Sequence, residues 1–219
     1  MRYLLPRCKQ GARRRFKIIA AQGREQGMET NQHTAYRIRT ARPADAPAVQ
    51  RIKAPYVECT PYNFAFEPPT AAEVERDIRQ TLERYPFLVA EQPDGTLLGW
   101  AQAEPFRARE ADGWNVELTI YLAEDARGHG VGTALYESLL RLLALQGVQN
   151  AYACITASNE ASLAFHRARG FTEVGRFPAT GYKQGAWHDT VYLWRALGDH
   201  EVPPAPFRPF AQLAGDAVL

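Results

Sequence analysis

The chain is short of sulfur: three cysteines and two methionines in 219 residues. Cys8, Cys59 and Cys154 are odd in number and far apart, with no Cys-x-x-Cys and no Cys/His ligand spacing. That excludes a disulfide framework, and no metal site is expected. The cysteines fit a reducing cytoplasm and read as small buried or tail residues. No apolar run approaches the roughly 20 residues needed to cross a bilayer. Acidic residues are missing before Glu25, while Arg2, Arg7, Lys9, Arg13, Arg14, Arg15, Lys17 and Arg24 fall in that stretch. It lacks the apolar core of a secretory signal and the serines of a transit peptide. Met28 reads as a plausible native start with residues 1–27 an upstream extension, and the basic N-terminal extension over residues 1–33 is expected to be poorly ordered. The rest of the chain is slightly acidic overall, which argues against a nucleic-acid-binding surface. Internal repeats are also missing, and no second core is visible.

The most informative stretch is present in the middle of the chain. Val116, Leu118, Ile120 and Leu122 alternate with Glu117, Thr119 and Tyr121, the pattern of a half-buried strand. Gly128, Gly130 and Gly132 come next, and then Val131, Leu135, Leu139, Leu142 and Leu143 recur at helical spacing. A strand, a glycine turn and a helix aim backbone N–H groups and the positive end of a helix dipole at one spot, which suits a phosphate. The turn has no Gly-Lys-Ser/Thr and no Gly-x-Gly-x-x-Gly order, so it is neither a Walker loop nor a Rossmann loop. A tight connection alone is the bland alternative.

The remaining segments order themselves around it. Tyr36–Thr40 reads as a strand, and a helix runs from there to about Lys53, ended or bent by Pro55. Tyr62–Pro69 is an aromatic, proline-bounded loop. Thr70 and Glu73 form a capping box that opens a helix with Val74, Ile78 and Leu82 on one face. Phe87–Gln92 and Thr96–Ala103 make a hairpin, and Pro105–Gly113 a polar connection carrying Arg107 and Arg109. Asn150–Thr156 is a strand, and Asn159 caps a short helix closed by Gly170. Phe171–Phe177 and Thr190–Ala196 are final strands joined by a loop over 181–189. The proline-rich end, residues 198–219, is expected not to pack as regular structure. The order is β-α-α-β-β-β-α-β-α-β-β, an α/β domain over residues 34–197.

Arg127-Gly128-His129-Gly130-Val131-Gly132 resembles the coenzyme A pyrophosphate loop of the GCN5-related N-acetyltransferase (GNAT) superfamily. Three further stretches resemble its phosphinothricin N-acetyltransferase branch: Leu82–Ala90, Ser158–Phe171 and Gly181–Asp189. Ser158 stands where that branch often has proline, a local change of turn. The resemblance implies the GNAT fold, a mixed and mostly antiparallel sheet splayed at a cofactor cleft. It also implies acetyl-CoA as donor, a small amine or amino-acid acceptor, and a homodimer.

It further implies site residues. Arg127, Gly128, His129, Gly130, Val131, Gly132 and Thr133 would cradle the pyrophosphate. Ile120, Tyr121 and Leu122 would offer a strand edge to the pantetheine arm, with Asn159 and Ser162 also at the cofactor. Asn159 serves equally as a helix cap. His166, two helical turns beyond Asn159, takes the place of the acid that protonates the departing thiolate; an ordinary helical histidine is the alternative. Glu117 is the expected base, because the ammonium form of an amine cannot attack a carbonyl. The alternative is a solvent-facing strand glutamate. Arg107 or Arg109 would hold an acidic group of the acceptor, unless they are only solvated. Phe64, Tyr182 and Trp187 are either pocket walls or packing residues. Cys154 has no evident histidine partner, which argues against a covalent intermediate. Rival readings are acetylation of a protein N-terminus, a lysine or a polyamine, a silent acyl-CoA sensor, and a nucleotide-phosphate module.

Overall fold

The computed structural model describes residues 35–213. The basic extension expected over residues 1–33, with Cys8 and Met28, lies outside the described residues. Seven strands form one sheet in the order β1-β2-β3-β4-β5-β7-β6. They are β1 (Arg37–Thr40), β2 (Phe87–Glu91), β3 (Leu97–Pro105), β4 (Asn115–Leu122), β5 (Asn150–Thr156), β6 (Thr172–Lys183) and β7 (Ala186–Ala196). The helices are α1 (Ala46–Cys59), α2 (Ala71–Arg84), α3 (Val131–Leu145), α4 (Glu160–Arg167) and α5 (Phe210–Leu213). The element order matches the sequence expectation, with α5 added.

Every strand pair is antiparallel except β4 with β5. That parallel pair is short, running only through Asn115↔Asn150, Val116↔Ala151 and Glu117↔Tyr152. Past Glu117 the two strands part. The split opens the edge of β4 from Leu118 onward, and it decides where a ligand can enter.

The alternation read in β4 sets its two faces. Val116 and Leu118 are buried with Leu135, Leu139 and Leu143 of α3 in one cluster. On the opposite face Phe87, Val89 and Trp100 pack with Val49 and Ile52 of α1 and Val74 and Ile78 of α2. The α2 capping box forms as expected: Thr70 Oγ1 accepts from the Glu73 N–H, and the Glu73 carboxylate accepts from the Thr70 N–H.

Three expectations are corrected. Pro55 does not end α1, which continues through it to Cys59. The carbonyl that proline leaves without a donor belongs to exposed Arg51, where water can replace the bond, and continuing the helix buries Val57. Segment 181–189 is not a loop: β6 and β7 run on as a long hairpin closed at Gln184-Gly185. Both turn residues have positive φ, +51° and +83°, as a type I′ turn requires. The proline-rich end packs. Phe210 and Leu213 are buried, and Gln146 Nε2 donates to the carbonyls of Arg84 and Arg208, tying that end to α2 and α3.

Candidate active site

The glycine loop behaves as its composition requires. Gly128 and Gly130 have φ of +81° and +78°, a region costly for residues with a Cβ, and Gly130 is the N-cap of α3. Gly132 serves a different end. A Cβ there would come within 3.1 Å of Leu122 Cδ1 and 3.3 Å of Phe165 Cε2, so glycine lets α3 close on β4 and α4. The first-turn N–H groups of α3 have no partner within the helix. Arg127 and Gly128 border a cleft of about 470 Å³ that occupies the gap between β4 and β5. Leu118–Leu122 form one wall and Ala153–Thr156 the other, with Asn159, Ser162 and His166 of α4 at one side.

Not all the expected residues meet there. Ile120, Tyr121, Leu122, Arg127, Gly128, Asn159, Ser162 and His166 line the cleft. Asn159 is also the N-cap of α4, its Oδ1 accepting from the Ser162 N–H at 3.3 Å. His129 is exposed beside the cleft, Val131 is buried beneath it, and Thr133 accepts a hydrogen bond from Arg169 Nη2. Phe64 lies outside: its ring fills the space a Cβ at Gly181 would need. Tyr182 and Trp187 form an outward ring pair on the β6–β7 hairpin, 50% and 66% exposed. Arg107 is exposed with its guanidinium 5.1 Å from the Phe106 ring centre, and Arg109 is exposed on the same connection. Cys59 and Cys154 are exposed rather than buried, and Cys154 faces the cleft.

Glu117 is half-buried at the last β4–β5 pair, next to where the cleft begins. Burial, and after it the charge of Glu104, raises its carboxyl above the ordinary value. His166 is only 3% exposed, enclosed edge-on by the rings of Tyr136, Phe165 and Phe171. Its Nδ1–H donates to the Ser162 carbonyl at 2.8 Å, and Nε2 has no partner. Burial pushes its pKa down to about 4, so the ring is neutral and its one proton is already engaged.

Other residues the sequence did not single out hold the site. Tyr56 Oη donates to the Leu122 carbonyl at 2.7 Å and accepts from Arg127 Nη2 at 2.9 Å, tying the end of β4 to the start of the glycine loop. Reading Pro55 as a helix end hid it. Lys183 is buried, and its ammonium donates to the carbonyls of Val57 (2.5 Å), Asn63 and Ala65 (2.7 Å). Asn63 Nδ2 in turn donates to Tyr121 Oη at 2.9 Å. The segment that carries Tyr62 to the cleft is thereby pinned to the hairpin. Nothing local in the sequence signals this, because the partners lie about 120 positions apart.

Among the described residues no group of three or more His, Cys, Asp or Glu could hold a metal, and no helix is long and apolar enough to cross a membrane. The split sheet and its glycine loop define the class, and the chain matches the Acetyltransferase (GNAT) domain family over residues 38–192. It belongs to that family of acetyltransferases. Within it the chain is 40% identical over 176 residues to the phosphinothricin N-acetyltransferase of Streptomyces viridochromogenes, covering 80% of this chain and 95% of that one. It is 36% identical over 109 residues to the L-methionine sulfoximine/L-methionine sulfone acetyltransferase of Pseudomonas paraeruginosa, which covers 50% of this chain and 63% of the relative. Among solved structures, the phosphinothricin acetyltransferase of Sinorhizobium meliloti in complex with AcCoA aligns with a TM-score of 0.74 and 32% identity. That alignment covers 81% of this chain and 97% of the other.

Proposed function

We propose that the chain transfers acetyl from acetyl-CoA to the amine of a small, amino-acid-like acceptor by direct attack in a ternary complex. The observation that carries this reading is the place of Glu117, a carboxylate held partly out of water where β4 and β5 part, one residue before the Leu118–Leu122 wall of a cleft that reaches the glycine loop. The residues present fit the donor. Gly128, Gly130 and Gly132 let backbone N–H groups approach a pyrophosphate at the positive end of α3, with Arg127 beside them. The open β4 edge at Ile120–Leu122 can pair with an extended amide-bearing arm.

An amine with pKa of about 8 is mostly protonated at neutral pH. Glu117 takes one proton from it, and the raised carboxyl makes a stronger base than an ordinary glutamate. The freed lone pair attacks the thioester carbonyl. Backbone N–H groups of the β4 edge stabilise the oxyanion as the C–N bond forms. The C–S bond then breaks with its electron pair on sulfur, and the second amine proton passes to solvent water. A thiol with pKa of about 8.5 departs readily as thiolate, so the step needs no histidine acid. His166 shapes the α4 wall instead.

The test is acetyl-CoA-dependent thiol release against phosphinothricin, methionine sulfone, methionine sulfoximine, common amino acids, polyamines and short peptides. Turnover of the sulfone, sulfoximine or phosphinate is expected. Turnover confined to peptides or polyamines would remove the acceptor assignment. Tight acetyl-CoA binding with no turnover would favour a sensor.

A further inference from the structure

The β3–β4 register sets Glu104 directly opposite Glu117, with Gln102 opposite Thr119 next along the same face. Like charges directly opposite on adjacent strands destabilise a sheet, and neither carboxylate is in a salt bridge among the described residues. Gln102 Nε2 donates to Glu104 Oε1 at 3.2 Å. The other end of that amide, Gln102 Oε1, is buried without a donor, although the residue is only 5% exposed. Two carboxylates with no cation partner thus share a face with one buried, unpaired acceptor, Gln102 Oε1, and such an acceptor is costly.

Their surroundings are aromatic. Tyr152, the β5 neighbour of Glu117, stacks on Phe106 with ring centres 4.0 Å apart, and Tyr192 meets Phe106 edge-on. An ammonium brings three N–H donors and a positive charge, and it is attracted to ring faces. The Arg107 guanidinium, over the Phe106 ring, is the cation on hand for the carboxylate beside the amine of an α-amino acid.

We infer that Glu104, Glu117 and the Gln102 amide receive the acceptor as its ammonium form, and that Glu104 selects against acceptors carrying a second anionic group. The inference rests on the acceptor class proposed for the chain and sharpens it. Methionine sulfone has a neutral side chain, whereas phosphinothricin adds a phosphinate to a face that already holds two carboxylates. Glu104 binds the cation, and Glu117 removes the proton.

Initial rates of wild type and Glu104→Gln on methionine sulfone and phosphinothricin, from pH 5.5 to 9, test this. Wild type should favour the sulfone in kcat/KM by about tenfold or more, the size of one screened charge contact. Glu104→Gln should shrink that ratio to within about threefold. The acid limb of kcat/KM should also move to lower pH. The groups facing Glu117 are Glu104 from β3, Tyr152 and Cys154 from β5 and Tyr192 from β7, with Arg107 beside Tyr192, and Glu104 is the one carboxylate among them. Glu104 is exposed, so the variant is expected to fold, and thermal melting checks this. Turnover of both acceptors with an unchanged ratio and limb overturns the inference while leaving the proposed function standing. Absence of turnover on every acceptor removes both.

Discussion

Burial disfavours the charged form of both Glu117 and His166, which raises the carboxyl and lowers the imidazole. Leaving water raises the Glu117 carboxyl, which suits the role of base proposed for it. The same effect drops His166 from 6.5 to about 4 and leaves it neutral. The unfolded imidazole titrates near the higher value and the folded one near the lower. Between them the unfolded chain binds more protons, so stability falls as pH falls through that window. At pH 4.5 the loss against pH 7 is about 2.5 kcal/mol from this group. Denaturant unfolding of wild type and His166→Gln at the two pH values should show a shallower pH dependence in the variant. Equal slopes would contradict a buried, neutral His166. The Asn159 cap and the phase of Glu117 on its strand were legible in sequence, because both depend on near neighbours. The neutral state of His166 was not, since it follows from Tyr136 and Phe171, which lie in other elements.

At the scale of elements, local signals gave the right kinds in the right order and failed where distant contacts outvoted them. Pro55 is a sound reason to end a helix, yet Val57 and Tyr56 gain enough beyond it for α1 to continue. The upper hairpin of β6 and β7 is held by pairing across a turn, and its Gln184-Gly185 signal was weaker than the glycine-rich look of the segment. That hairpin carries Lys183, which pins three carbonyls of the segment behind Tyr62. Lys183→Met removes the ammonium and strands those carbonyls, at about 1 to 3 kcal/mol for each that water cannot reach. Its expected effects are a lower melting temperature and a rise in acceptor KM of about tenfold, the equivalent of about 1.4 kcal/mol. The affinity for acetyl-CoA should stay near wild type, because the glycine loop is untouched. An unchanged melting temperature and KM would show that the pin is idle.

For the whole molecule, the sheet order is the part no window of sequence could supply. β7 inserts between β5 and β6, and β4 and β5 pair for three residues only. The short β4–β5 pairing leaves room for the cleft, and Glu117 sits in its last pair, just before the Leu118–Leu122 wall. The packing of Phe207 against Tyr85, and of Phe210 and Leu213 into the core, was likewise hidden behind a run of prolines. What the sequence did carry was local geometry: one alternating strand, one glycine loop and one helix cap. The most direct test of the account compares wild type and Glu117→Gln by acetyl-CoA binding and by turnover of methionine sulfone. The account predicts unchanged acetyl-CoA affinity and a loss of about 10² to 10⁴ in kcat, the usual share of a positioned base. Turnover by Glu117→Gln within about twofold of wild type, far short of a base's usual share, would contradict it.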